Sequence, residues 1–504
     1  MRDKILFLTD MWFFNFATAK FLQKKYDADF YTIIDVNPKA RKFFEEQQIV
    51  KYKKIWFYLD CLKNLPKKPD IDYLREFEKR YNLNLWLIAF QEREFYQFNR
   101  YYKFSDDKIL TILENECKFF EKILDEVKPD FISMYFSISH FQELLREMCK
   151  SKGIKILMLG PARIGGTMMI SEKGLVMDNY PKQQYKNNTE KNNSENFKDY
   201  IDNFTAYQSI NDYVRKNFEN KIWERYKPIL KFFFSKSSES IRIRYTYYGH
   251  TKFNVLKNKV RNFLTKKYRA YFIQKIFLHT FQTNIQFAYF PMHFEPERIL
   301  LIDSPFHGNQ IEIIKNVAKA LPVDFLLYVK EHPVQKILGW REISFYKELL
   351  TIPNVRLIHP AMKPESLLKN CKLVITIAGT GGLEALFFNK PVITFTKGFY
   401  SSIPSVCLVE KIYELPDQIK KALTSQVNKN DLDDFMNKVK DNVFPFEYTN
   451  ITSDFAYRFG FKGPIMDANI QSSKIQSFLD YYSKDFELLA DEHLKKILQL
   501  KELK

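Results

Sequence analysis

Along the chain, apolar runs of four to seven residues alternate with segments whose apolar positions recur every three or four residues, the periods of buried strand and amphipathic helix. KILFLTD (4–10) reads as a buried strand ending at Asp10, FATAKFLQKKY (16–26) as a helix, and DADFYTIIDV (27–36) as the next strand. KPDFISMYFS (128–137) is a strand leading to Ser139 and His140, followed by the amphipathic helix HFQELLREMCKSKG (140–153). The strand IKILML (154–159) then runs into GPARIGG (160–166). A second alternating series begins with FAYFPMH (287–293). It continues as helix 311–321, strand DFLLYVKEHP (324–333), helix 344–352, strand 354–360 and helix 364–371. TIAGTGGLEALFFNKPVITF (376–395) completes a strand–glycine turn–helix–strand unit; a strand at 405–409 and a helix at 413–423 follow. Alternation of this kind predicts parallel sheets covered by helices, with ligands beyond the C-terminal ends of the strands.

The pattern divides the chain into an α/β block over residues 1–180, an insertion over 181–285, a second α/β block over 286–430 and a mostly helical segment over 431–504. KQQYKNNTEKNNSEN, at 182–196, has almost no apolar content and reads as a flexible loop. Residues 251–275 hold eight Lys or Arg and no Asp or Glu, interleaved with Phe, Leu, Val and Tyr. That mixture suits a helix lying on an anionic membrane surface, or equally a helix packed on its own domain with a solvated basic face.

A chain of 504 residues buries ample core, and Lys+Arg exceed Asp+Glu by 18, so the surface attracts phosphates, nucleic acid or anionic lipid. Five dispersed cysteines without a CxxC pair argue for a reducing compartment and against structural zinc. MRDKILFLTD is too short in its apolar run for a signal peptide, and no stretch approaches 18 uninterrupted apolar residues. The expectation is a cytoplasmic protein, peripheral on the inner membrane face if the basic segment binds lipid.

With only 14 glycines in the chain, three stand within four positions, at Gly379, Gly381 and Gly382. Glycine is required where φ is positive or where another group approaches the backbone closely. The helix they open offers unpaired N–H groups and a partial positive charge to an anion. KEHP places Lys330 and His332 at a strand end of the same block, so the imidazole can face the same crevice; Glu384, on the opening turn of the helix, suits a sugar hydroxyl pair. Together these residues read as a nucleotide phosphate cradle. His293 and Glu297, after the first strand of this block, are catalytic candidates or a structural pair. Asp10 is a general base, a nucleophile or the cap of the next helix. Arg163 is placed to bind an anionic acceptor or a donor carboxylate, or is a surface loop residue. GxGxxG, Walker A, HExxH and GxSxG are absent, as is a convincing DxD motif; dinucleotide, ATP-hydrolysing, zinc-protease and lipase chemistry drop away, and neither metal nor cofactor is expected.

YFPMHFEPE (289–297), YVKEHP (328–333) and ITIAGTGGLEALFFNKPVITF (375–395) together resemble the capsular polysaccharide biosynthesis proteins, which include bacterial Kdo transferases. The pairing of an HP motif with a later Ser/Thr-Gly turn is also similar to bacterial sialyltransferases. The resemblance covers residues 286–420 well and the first block loosely. It implies a GT-B glycosyltransferase with two Rossmann-like domains facing a cleft, using a nucleotide-sugar donor, commonly CMP-activated, and a glycan or glycolipid acceptor. By position it assigns His332 and Thr380 to the donor phosphate. Glu295 and Arg298 depart from that pattern, standing where less charged residues are expected. Two other classes share features: a UDP-sugar 2-epimerase on the same architecture, and a basic nucleic-acid-binding protein. No RNA-binding signature such as RNP1 supports the last, and a nucleic-acid partner is not expected.

Overall fold

A computed structural model describes residues 2–164, 166–174, 176–178, 243–282, 284–459 and 469–502; the Asn/Lys-rich stretch 182–196 lies outside them. The chain forms two compact units. The first is built on β1 (Asp3–Thr9), β2 (Ala28–Ile34), β3 (Lys54–Phe57), β4 (Phe131–Tyr135), β5 (Lys155–Pro161) and β6 (Thr167–Ser171). Strands β3, β2, β1, β4 and β5 pair in parallel in that order, and β6 closes back on β5 antiparallel. Ile5, Leu6 and Phe7 of β1 are fully buried, as expected for a central parallel strand covered on both faces. The covering helices carry local start and stop signals. The helix Asp106–Val127 begins where Ser105 Oγ accepts the Lys108 N–H, with Asp106 and Asp107 in its first turn, and ends at Lys128 in the left-handed region.

The second unit is the more regular. Its strands β7 (Gln286–Pro291), β8 (Phe325–Lys330), β9 (Val355–Ile358), β10 (Leu373–Thr376), β11 (Val392–Thr394) and β12 (Val406–Leu408) form one wholly parallel sheet in the order β12-β11-β10-β7-β8-β9. The order runs outward from β7 in both directions. The C-terminal ends of β7, β8 and β10 are therefore neighbours at the point where the strand order reverses, the crevice used by doubly wound sheets. The basic segment is a helix, Lys252–Ile276. Beyond residue 441 the chain belongs to the first unit, where β13 (Val443–Pro445) adds antiparallel to β6 and the helices Tyr448–Phe459, Ser472–Tyr481 and Ser483–Glu502 follow. Both units are Rossmann-like, and all five cysteines are free.

Candidate functional site

The three quoted glycines do not serve a left-handed turn. Gly379 has φ −75° and ψ 152° and stands at the N-cap of the helix Thr380–Phe387, and neither Gly381 nor Gly382 has positive φ. Close approach explains them. A Cβ on Gly382 would lie 2.2 Å from the Tyr400 hydroxyl, one on Gly379 2.9 Å from Thr376 Oγ1, and one on Gly381 3.2 Å from Pro291 Cγ. The Tyr400 hydroxyl donates to the Gly379 carbonyl at 2.7 Å, and Thr376 Oγ1 accepts the Gly379 N–H at 3.1 Å. The turn is thus clamped from both sides, and among the described residues no side chain caps the helix. Thr380 is the first helical residue, and the first N–H groups of a helix have no partner within it.

β8 delivers Lys330, 3% exposed, and then His332. Burial pulls the Lys330 ammonium down to about 8, against the opposing influence of Glu331 and Glu384. Burial likewise pushes the Glu384 carboxyl up to about 7, offset in part by Lys330. Glu384 is the fifth residue of its helix, on the second turn rather than the opening one, and it addresses Lys330. His332 Nδ1 accepts the Val334 N–H at 3.2 Å, capping the short turn Pro333–Lys336. Burial lowers this imidazole to about 4, with Glu297 opposing and His293, Lys330 and Arg341 adding to the shift. At neutral pH the ring is uncharged, and with Nδ1 accepting, its proton sits on Nε2, ready to donate. His332 supplies a hydrogen bond, not a charge.

His293 follows β7 and is buried. Its Nδ1 pairs with Glu297 Oε2 at 2.9 Å, and its Nε2 accepts the Ala378 N–H at 3.3 Å. With both ring nitrogens engaged, His293 ties the β7 end to the glycine turn. Behind it lies a polar network that the sequence did not disclose. Glu331, fully buried, accepts the His332 N–H at 2.7 Å, Arg341 Nε at 2.8 Å and the Tyr346 hydroxyl at 2.7 Å. Arg341 also pairs with Glu295 at 2.8 Å and donates to the His293 carbonyl. Gln310 Oε1 accepts the His293 N–H at 2.8 Å. The one sequence signal was Glu295 itself, since a charge in an apolar strand-end turn demands a buried partner. Arg298, the other unexpected charge, pairs with Asp303.

Asp10 and Arg163 belong to the first unit, at the C-terminal ends of β1 and β5. Arg163 adopts φ 61° in the β5–β6 turn. Asp10 Oδ1 accepts the Trp12 N–H at 3.0 Å, whereas Oδ2 is buried with no hydrogen bond among the described residues. Burial, reinforced by Asp35, raises this carboxyl to about 7. His140 opens the helix His140–Ser151 after β4 and is fully buried between Glu92 and Glu116, each 2.8 Å from a ring nitrogen. Burial alone would discharge it, but the two carboxylates win and raise it to about 9. The Tyr58 and Tyr245 hydroxyls complete this cluster on Glu116 and Glu92.

A groove of about 540 Å³ lies at the opposite end of the second sheet, lined by Phe281, Asp324, Tyr328 and Arg356 among others. It lies at the strands' N-terminal ends, which is not where a doubly wound sheet binds ligands.

Among solved structures, the chain is similar to the UDP-GlcNAc 2-epimerase from Methanocaldococcus jannaschii, at 14% identity over 85% of this chain and 94% of that one, with a TM-score of 0.23. It is also similar to Thermosulfurimonas dismutans KpsC, a beta Kdo 2,7 transferase, at 12% identity over 60% of this chain and 80% of that one, with a TM-score of 0.29. Likenesses this distant say nothing about which reaction this chain performs. No curated protein sequence matches it. The family model of the capsule polysaccharide biosynthesis protein matches residues 152–407, just over half the chain and including the whole clamped turn and the β8 end. The chain therefore belongs to the capsule polysaccharide biosynthesis protein family.

Proposed function

We propose that this protein is a nucleotide-sugar-dependent glycosyltransferase of surface polysaccharide or glycolipid synthesis, with the donor held by the second unit. The observation that supports the reading is that three kinds of donor stand at the C-terminal ends of β8 and β10, the two strands that flank β7. These are the neutral Nε2–H of His332, the ammonium of Lys330 and the uncapped first turn at Thr380 and Gly381. A phosphate leaving group develops negative charge as the sugar departs, and fixed donors in a largely buried setting stabilise that charge without reorganising. His293, Glu297 and the Glu331–Arg341 pair act as positioning residues. They hold the two loops that carry these donors.

Family membership supports a role in polysaccharide synthesis, and the HP and Thr-Gly resemblance favours a CMP-activated acidic sugar. In the first unit, the Asp10 carboxyl, poised near neutrality with one oxygen that has no hydrogen bond among the described residues, suits a general base for the acceptor hydroxyl. Arg163 suits an anionic group on the acceptor.

Thermal unfolding with CMP, CDP, UDP, GDP and ADP tests this reading. A ligand at a hundred times its dissociation constant adds roughly 2.7 kcal/mol of stability. CMP is expected to stabilise most. A larger effect of UDP would move the protein to UDP-sugars and favour an epimerase-like activity. No effect from any nucleotide would overturn the reading.

A further inference from the structure

The helix Lys252–Ile276 buries one side and carries apolar residues on the exposed side opposite. At 100° per residue, its buried residues Val255, Asn258, Arg269 and Ile273 lie within an arc of about 60°. Arg269 fastens that side to the second unit by donating to the Trp340 carbonyl at 3.2 Å and pairing with Glu342. Phe272 stacks on Tyr346, with ring centroids 6.5 Å apart. Packing on its own domain is thereby satisfied. Diametrically opposite stand Phe253, Leu256, Val260, Phe263, Leu264, Tyr268 and Tyr271, between 46% and 72% exposed. They occupy an arc of about 140° and run roughly 27 Å along the axis. Isolated exposed apolar residues need no explanation, but a continuous stripe of seven does.

The charges indicate the occupant. Lys252, Lys259 and Lys266 line one margin of the stripe and Arg261 the other, while Lys257, Lys267 and Lys275 rise between its apolar residues. No acidic residue interrupts the helix. Lys267 lies over the Phe263 ring at 4.7 Å, its stem along apolar surface and its ammonium at the edge. Among the described residues no helix is long and apolar enough to cross a membrane.

We propose that this face docks the protein on an anionic lipid surface, the stripe entering the headgroup boundary and the cations meeting lipid phosphates. Leu256, Val260 and Leu264 offer no hydrogen bond and no ring to stack on a base, so aliphatic surface within the stripe favours lipid over nucleic acid. The docking does not depend on the nucleotide site, and its test does not use nucleotide.

Cosedimentation with vesicles of phosphatidylcholine alone, or with 30 mol% phosphatidylglycerol added, reads the interaction on the full chain. Wild type is expected to pellet with the anionic vesicles, less so at 0.5 M NaCl, and not with the neutral ones. Each cation is worth about 1 kcal/mol at such a surface, or roughly fivefold. The triple change Lys257→Gln, Arg261→Gln, Lys267→Gln should therefore cost about a hundredfold in partitioning. Leu256→Ser, Val260→Ser, Leu264→Ser together should also abolish pelleting, at low salt as at high. Circular dichroism should be unchanged in both, because the substituted side chains are exposed. Phe263→Trp should show a blue-shifted emission quenched by nitroxide-labelled lipid.

Wild type that ignores anionic vesicles overturns the proposal, as does a stripe variant that binds like wild type. Failure to bind lipid together with salt-sensitive binding of a random oligonucleotide would give the face to nucleic acid. A concentration-dependent dimer lost in the stripe variant, with no lipid binding, would give it to a second copy. A stripe variant with a lowered melting temperature and no lipid binding in wild type would mean that the chain itself covers the stripe.

Discussion

Gly382→Ala tests whether the glycine turn is built for close approach. The added Cβ would meet the Tyr400 hydroxyl at 2.2 Å, its Cζ at 2.8 Å and Thr376 Cγ2 at 3.1 Å. Carbon contacts are comfortable at about 3.5–4.0 Å, so the Tyr400 ring must retreat by about 1 Å. It cannot do so freely, being only 5% exposed. Forcing a methyl into a filled site costs about 1–3 kcal/mol. The retreat also breaks the hydroxyl's bond to the Gly379 carbonyl, worth about 0.5–1.5 kcal/mol. Against this, Ala is favoured over Gly within a helix by up to about 1 kcal/mol. The net expectation is a loss of about 1–3 kcal/mol, read as a fall of roughly 2–12 °C in the melting temperature of a unit this size. Gly381→Ala, meeting Pro291 Cγ at 3.2 Å and Cβ at 3.7 Å, should be nearly neutral, with Gly379→Ala between the two. Chemical denaturation followed by circular dichroism orders the three. A Gly382→Ala protein as stable as wild type, or a Gly381→Ala protein that is the worst of the three, refutes the close-approach account.

His332→Ala should weaken CMP binding tenfold or more, the value of a hydrogen bond to a charged group being about 1.5–3 kcal/mol. Because the ring is neutral, calorimetry should give the same wild-type-to-variant ratio across pH 5.5–7.5; a ratio that grows toward pH 6 would mean a protonated imidazole. The Asp10 carboxyl is raised to about 7, so the stability it contributes is complete below its unfolded value near 4 and is lost as pH climbs through 7. Asp10→Asn keeps the neutral form and should outlast wild type in urea by a margin that opens between pH 4.5 and 8; a less stable variant at pH 8 would show that the ionised form has a structural partner. His140, raised to about 9, contributes stability that is whole below about 6.5 and disappears as pH rises through 9. Urea midpoints of His140→Gln should lack that part of the decline, and an identical pH profile would discard the charged histidine.

Sequence alone determined the elements whose signals are local. β1, β7, β8 and the β10–helix–β11 unit were legible because strands buried on both faces read as continuous apolar runs. That Lys330, His332 and the glycine turn lie at one edge of the second sheet followed from its parallel strands, whose C-terminal ends share that edge. The short strands β3, β6 and β13 left too little pattern to read, and β13 pairs with β6 from more than 270 residues away. Tertiary structure decided what depends on groups far apart in the chain. Arg341 meets the His293 carbonyl 48 residues back, and Tyr400 presses on a glycine 18 residues earlier. Neither contact leaves a periodic trace. The same holds for protonation: a histidine's sequence does not tell whether burial will strip its charge, as at His332, or flanking glutamates will keep it, as at His140. Burial and partner charges are set by packing, so only the fold could assign one a neutral donor and the other a buried cation.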